Sequence, residues 1–259
     1  METIAKTFEK LNREGKTAFV PFSVAGYPDF RASLEIFHKL AQSGDVLEFG
    51  FPFSDPIADG PVIQLAAGEA IRKGMTMDGA FEMLREIRGR SDTPLIFFSY
   101  FNPIHKYGAE KFADRARNSG VNGVLIVDLP LEESHLLKPA TDAAGLAWIN
   151  LATPTTPKPR IDRMNSEGSG FLYYVSRTGV TGAGGGLPRD LAQNCQKLRQ
   201  MSRLPVAVGF GISTPEDAEQ LKDHADGIVV GSAILSLVGN GRSSGEIDEW
   251  LEDMARAIH

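Results

Sequence analysis

Two carboxylates stand out by their surroundings. Glu48 lies within Val46-Leu47-Glu48-Phe49, a short run otherwise made of apolar residues. At the period of two of a strand, Val46 and Glu48 face one way and Leu47 and Phe49 the other. A carboxylate in such a run is costly to bury unless it is paired, hydrogen-bonded or raised in pKa. A raised pKa is what a group needs if it must both donate and accept protons; the alternative is a buried Glu satisfied by hydrogen bonds. Asp59 follows on Phe51-Pro52-Phe53-Ser54-Asp55-Pro56-Ile57-Ala58-Asp59-Gly60-Pro61, a stretch stiffened by three prolines. Taken singly, an Asp in a Pro/Gly loop is an ordinary turn former.

A second chemistry is legible in small residues. Gly182, Gly209, Gly211, Gly231 and Ser232 stand at or near the ends of three successive apolar runs. Backbone N–H groups can approach a phosphate at such positions without help from lysine. Gly231-Ser232-Ala233 can also open a short helix whose N-terminus faces the anion. The combination points to an enzyme acting on a small phosphorylated substrate.

These residues need a frame to bring them together. Eight short apolar runs read as strands: Ala18–Phe22, Val46–Phe49, Leu95–Tyr100, Gly123–Val127, Ala147–Leu151, Phe171–Val175, Val206–Gly209 and Gly227–Val230. Their Val, Ile, Leu and Phe content suits parallel strands covered on both faces. Helical spacing fills the gaps, as at Phe30, Leu34, Phe37 and Ala41, and again at Phe81, Leu84 and Ile87. Thr214-Pro215-Glu216-Asp217 reads as an N-cap followed by proline in the first turn, and Ser243 with Glu246 as a capping box. Strand and helix alternating eight times predict one closed (β/α)8 barrel over residues 1–259, an α/β fold, with an extra N-terminal helix. An open doubly wound sheet is the structural alternative. Two connections are long, from Gly50 to about Val62 after the second strand and from Arg177 to about Leu187 after the sixth. Such loops at the carboxyl ends of barrel strands bind and cover substrate.

The bulk composition narrows the classes. Of 259 residues, 42% are hydrophobic and 23% charged, which is ordinary globular usage. A formal net charge of −6 without Lys/Arg blocks argues against a nucleic-acid or anionic-membrane surface. The single cysteine, Cys195, allows no intramolecular disulfide and fits a reducing compartment, so a cytoplasmic location is expected. The N-terminus lacks a signal-peptide apolar core, and no apolar run approaches the roughly 20 residues a bilayer span needs. His38, His105, His135, His224 and His259 share no ligand spacing, so no metal is expected. Gly184-Gly185-Gly186 lacks the context of a dinucleotide fingerprint.

The stretch from Leu47 to Gln64, LEFGFPFSDPIADGPVIQ, resembles the signature of the tryptophan synthase α subunit family. The similarity runs over nearly the whole chain. It is carried also by Phe19-Val20-Pro21-Phe22 with Ala25-Gly26-Tyr27-Pro28, by Gly123 to Pro130, by Tyr173 to Gly182 and by Val208 to Ser213. The resemblance implies a lyase that cleaves indole-3-glycerol phosphate to indole and glyceraldehyde 3-phosphate. It implies that Glu48 protonates indole C3 and takes the side-chain hydroxyl proton, and that Asp59 accepts the indole N–H as charge develops on the ring. Thr181 would bond Asp59 when the two long loops close. An apolar slot for indole would be lined from Phe22, Ile63, Phe98, Tyr100, Leu125, Val127, Tyr173 and Phe210, with Tyr100 and Tyr173 in reach of glycerol hydroxyls.

The same resemblance places Pro52, Asp55 and Asn102 near a β-subunit interface, in an α2β2 heterotetramer to which indole is passed. It implies no cofactor in this chain, pyridoxal phosphate belonging to the β subunit. Two departures bear on loop motion and partner coupling: Phe51 stands where a smaller aliphatic residue is usual, and Ala183-Gly184-Gly185-Gly186 forms a small-residue run. A free-standing indole-glycerol-phosphate lyase is the nearest alternative. A phosphosugar isomerase would want acid and base groups at the ends of strands one and five, where this sequence has Phe22 and Asn150. A non-catalytic regulatory protein would not need both Glu48 and Asp59.

Overall fold

The apolar runs form strands whose side chains alternate between two buried layers. A computed structural model describes residues 3–175, 187, 190–209 and 211–259. Among these, the strands are β1 (Ala18–Val24), β2 (Leu47–Gly50), β3 (Leu95–Ser99), β4 (Gly123–Ile126), β5 (Ala147–Trp148), β6 (Asn150–Ala152), β7 (Leu172–Val175), β8 (Val206–Gly209) and β9 (Gly227–Val230). All pair in parallel, in the order β5-β4-β3-β2-β1-β9-β8-β7-β6. Only Ile149 separates β5 from β6, and its N–H donates to the Val124 carbonyl at 3.0 Å, so the ring closes on itself. The fold is the expected barrel of parallel strands with helices between.

One expected strand is corrected. Ala147–Leu151 is not a single strand but two short ones, β5 paired with β4 and β6 paired with β7. A tilted barrel strand meets its two neighbours at different heights, which lets the pairing change sides midway. Asn150 faces outward there, accepting from Trp148 Nε1 at 3.2 Å and donating to the Met164 carbonyl at 3.2 Å. It is therefore committed to structure, and the isomerase alternative gains nothing from it.

Period-two alternation assigns the interior. Ala18, Val20, Val46, Ile96, Leu125, Ile149, Phe171, Tyr173, Ala207 and Val229 form one cluster inside the barrel. Their neighbours Phe19, Leu47, Phe49, Phe97, Val124, Leu172, Val208 and Ile228 belong to a second cluster, under the helices. The expected N-terminal helix, Ile4–Arg13, starts at Thr3, whose side chain accepts from the Lys6 N–H. Its apolar face, Ile4, Phe8 and Leu11, joins the interior cluster. Phe8 packs on Phe171 with ring centroids 5.1 Å apart, and a Cβ at Gly227 would lie 3.0 Å from the Phe8 ring. These contacts plug the end where the strands begin and leave the carboxyl ends for chemistry.

Both expected caps are present: Thr214 with Asp217 before Pro215–Glu219, and Ser243 with Glu246 before Ser244–Ile258. The connection after β2 runs to Gly60, where helix Pro61–Arg72 begins with proline in its first turn. Most of the second long connection, residues 176–186, lies outside the described residues. Among the described residues, no helix is long and apolar enough to cross a membrane.

Candidate active site

Glu48 sits midway along β2, in register with Phe22 of β1 and Ile96 of β3. It is 1% exposed, and neither carboxyl oxygen has a hydrogen-bond partner among the described residues. Burial alone pushes its pKa up to about 8, because an apolar wall disfavours the charged form. At neutral pH Glu48 is a carboxylic acid with a proton to give. An unpartnered buried polar group of this kind is uncommon and points to function.

Asp59 is brought to the same end of the barrel by the proline-rich loop. Its backbone N–H donates to the Pro56 carbonyl at 3.0 Å, and its carbonyl accepts from Gln64 Nε2 at 2.8 Å. Tyr100, just past the end of β3, donates its hydroxyl to Asp59 Oδ2 at 3.1 Å and accepts from the Ala58 N–H at 3.0 Å. Burial pushes the Asp59 pKa up to about 6, while the Tyr100 hydrogen bond pulls the other way. Asp59 is therefore mostly ionised at pH 7 although buried. Tyr173, inside the barrel, has its phenol pKa raised by burial first and then by the charges of Glu48 and Asp59.

Two core clusters gather Phe22, Ile63, Phe98, Leu125, Val127 and Tyr173. Phe22 and Phe98 meet edge to face at 5.2 Å, and both join a cluster with Ile63. Phe98 and Val127 also pack against the interior cluster that holds Leu125 and Tyr173. The glycines next to them leave no room for a side chain: a Cβ would fall 2.0 Å from the Tyr173 hydroxyl at Gly209 and 2.7 Å from the Phe22 ring at Gly231. Gly231 precedes helix Ser232–Gly239, and no described side chain caps that helix. Gly211 is exposed with a φ of +78°. Thr181, Gly182 and Phe210 fall outside the described residues.

A family model described as the tryptophan synthase alpha chain matches residues 8–256. The chain belongs to that family. The tryptophan synthase alpha chain of Phenylobacterium zucineum (strain HLK1) is 46% identical over 258 residues, covering 97% of this chain and 93% of the relative. That of Geobacter sp. (strain M21) is 45% identical over 236 residues, covering 91% and 88%. Among solved structures, tryptophan synthase subunit alpha from Legionella pneumophila str. Paris matches with a TM-score of 0.91 at 36% identity, covering 100% of this chain and 98% of that one. Tryptophan synthase of Mycobacterium tuberculosis matches with a TM-score of 0.91 at 27% identity, covering 99% of each chain. Members of the tryptophan synthase alpha family are lyases that act on indole-3-glycerol phosphate in tryptophan biosynthesis, and the barrel is their fold.

Within this family frame, the three residues expected near a partner differ in access. Asp55 and Asn102 are exposed, Asp55 accepting from Ser54 Oγ at 2.6 Å, whereas Pro52 is buried within the chain. The sequence reading missed the apolar residues that do show on this side. Ile57 is 80% exposed and Leu65 59% exposed, on the Asp59 loop and on the helix that follows it. It also missed Gln64 as an anchor of the Asp59 backbone. The signal was available, since Gln64 lies one helical turn from Gly60 and on the side of the loop.

Proposed function

We propose that Glu48 carries both protons of the retro-aldol cleavage and that Asp59 stabilises the charge between the two transfers. The observation that carries this is Glu48, 1% exposed and without a hydrogen-bond partner among the described residues, at the barrel end where Tyr100 donates to Asp59; burial favours the acid form of the first and the phenol the charged form of the second. Glu48 gives its proton to indole C3, leaving positive charge on the ring nitrogen. Asp59 accepts the hydrogen bond from that N–H, a charge-assisted contact that strengthens as the charge develops. The Glu48 carboxylate then takes the proton of the side-chain hydroxyl. The oxygen electrons form the aldehyde, the C–C bond breaks toward the ring, and indole and glyceraldehyde 3-phosphate result. Glu48 ends protonated, so the cycle closes without an external proton.

The other residues position the substrate. Phe22, Ile63, Phe98, Leu125 and Val127 sandwich the ring, and Tyr173 is the nearer phenol to the glycerol hydroxyls. The phosphate lies against the N–H groups of Gly209, Gly211, Gly231 and Ser232, with Gly182 completing the corner. By the family resemblance, Thr181 bonds Asp59 over bound substrate and Phe210 belongs to the indole slot. No cofactor of its own is needed for this chemistry; pyridoxal phosphate belongs to a β subunit, with which the chain forms an α2β2 assembly in the cytoplasm. The exposed Ile57 on the Asp59 loop and Leu65 on the helix that follows favour this over a free-standing lyase, because exposed apolar side chains suit a covered surface.

Steady-state indole formation from indole-3-glycerol phosphate, with and without an added β subunit, tests both parts. Indole release by the chain alone and a faster rate in a complex are expected. Absence of indole refutes the catalytic reading, and full activity with neither activation nor a complex on gel filtration returns the free-standing lyase.

A further inference from the structure

Two of the hydrogen bonds that fasten the Asp59 loop run through one phenol. Tyr100 is 2% exposed, and its ring packs on Phe53 of the same loop with centroids 5.2 Å apart. Its hydroxyl has one proton, which goes to Asp59 Oδ2 at 3.1 Å. Its oxygen accepts from the Ala58 N–H at 3.0 Å. A phenol so engaged has no proton left for a substrate hydroxyl. Because Tyr100 follows directly on β3, it ties a long connection to the rigid barrel wall. A donor to the ionised carboxylate also favours that form over the acid, and burial of Tyr100 among acidic neighbours keeps the phenol protonated to do so.

We propose that Tyr100 is a positioning residue, fastening the Asp59 loop to β3 and aiming the Asp59 carboxylate at the indole nitrogen, and that it does not act on substrate. This inference rests on the role of Asp59 given above. The groups around the Asp59 carboxylate define what can titrate with it. Tyr100 bonds it from the end of β3, Tyr173 in the barrel interior feels both it and Glu48, and Asp128 acts on Tyr100 from beyond β4. Asp55 on the same loop is bonded to Ser54 instead. Removing the phenol hydroxyl leaves burial unopposed at Asp59 and frees the Ala58 N–H, so the carboxylate loses both its ionisation at neutral pH and its direction.

The test is kcat/KM against pH for wild type, Tyr100→Phe, Asp59→Asn and the double variant. Tyr100→Phe is expected to lose about tenfold or more at pH 7, the worth of a hydrogen bond to a charged group. The loss should shrink toward pH 8 as Asp59 ionises again, so the acid limb moves to higher pH. In the Asp59→Asn background, Tyr100→Phe should change the rate less than about twofold, because residues acting through one another are not additive. A loss equal at every pH, or one undiminished in the Asp59→Asn background, overturns the proposal and returns Tyr100 to direct substrate contact. Wild-type activity in Asp59→Asn alone takes down the reading of Asp59 instead. Should Tyr100→Phe not fold, the 13C resonance of the Tyr100 Cζ in the wild-type protein decides: it should shift as Asp59 titrates near pH 6, and a flat resonance overturns the proposal.

Discussion

Replacing Glu48 by Gln should remove activity and at the same time stabilise the protein, increasingly so as pH rises. In the folded chain the Glu48 carboxyl has a pKa of about 8, against 4.5 in the ordinary environment that unfolding restores. Between those values the unfolded state has released the proton and the folded state still holds it. The unfolded state therefore binds fewer protons, and wild-type stability falls with pH across this window. The folding equilibrium changes roughly tenfold per pH unit for one such group, which amounts to about 3 kcal/mol by pH 7. Gln is close in shape to the protonated acid and does not ionise, so its folded state escapes that loss. Asp59 also titrates in this range, but it is present in both proteins and cancels in the difference. Urea unfolding of wild type and Glu48→Gln at pH 5, 6, 7 and 8 should give a stability gap that widens steadily toward pH 8. The same variant should lose on the order of 10³-fold or more in indole formation, since both proton transfers pass through one group. A gap that stays constant with pH, or narrows, refutes the account of Glu48 as a carboxyl held neutral by burial. Near-wild-type activity refutes its proton-carrying role.

Two further outcomes follow from the same physics. The kcat/KM of the wild-type chain should be bell-shaped, falling below pH about 6 as Asp59 takes a proton and above about 8 as Glu48 loses one; a profile without the acid limb would remove Asp59 as the charge partner. Phe8→Ala should destabilise the fold by about 3–5 kcal/mol, because Phe8 is buried between Phe171 and Gly227 in the barrel plug, and urea midpoints unchanged from wild type would show that the plug adds nothing.

The frame of this site was legible because barrel strands leave a plain record. Val206–Gly209 and Gly227–Val230 are bounded in the structure as their apolar runs are in the sequence, and alternation alone told which side of β2 Glu48 takes. The fifth run misled because pairing partners are not a local property: Ala147 to Ala152 reads as continuous, and only the barrel's tilt divides it between β4 and β7. The same limit hid the office of Tyr100. Its phenol and Asp59 are 41 positions apart, and nothing in either stretch says which hydroxyl a carboxylate will meet. Sequence placed both at the carboxyl end of the barrel, where a phenol beside a polar substrate reads as a substrate contact. Geometry reassigned its proton to the loop.

In the proposed reaction two carboxylates with nearly the same intrinsic acidity act as an acid and an anion, and the barrel separates them by environment. Glu48 lies between β1 and β3 and accepts no hydrogen bond from any described residue, so none of these offsets the cost of charging it. Asp59 is buried too, but on a loop that brings a phenol donor to the carboxylate itself and ties the backbone on both sides. A pH window between about 6 and about 8 results, in which the first is neutral and the second charged. The window depends on keeping donors away from Glu48 as much as on supplying one to Asp59. A substitution that gave Glu48 a hydrogen-bond donor, at Phe22 or Ile96 beside it, would lower its pKa and stabilise the fold. It would also deprive indole C3 of its acid, so the orphaned carboxyl is a cost in stability retained for the chemistry.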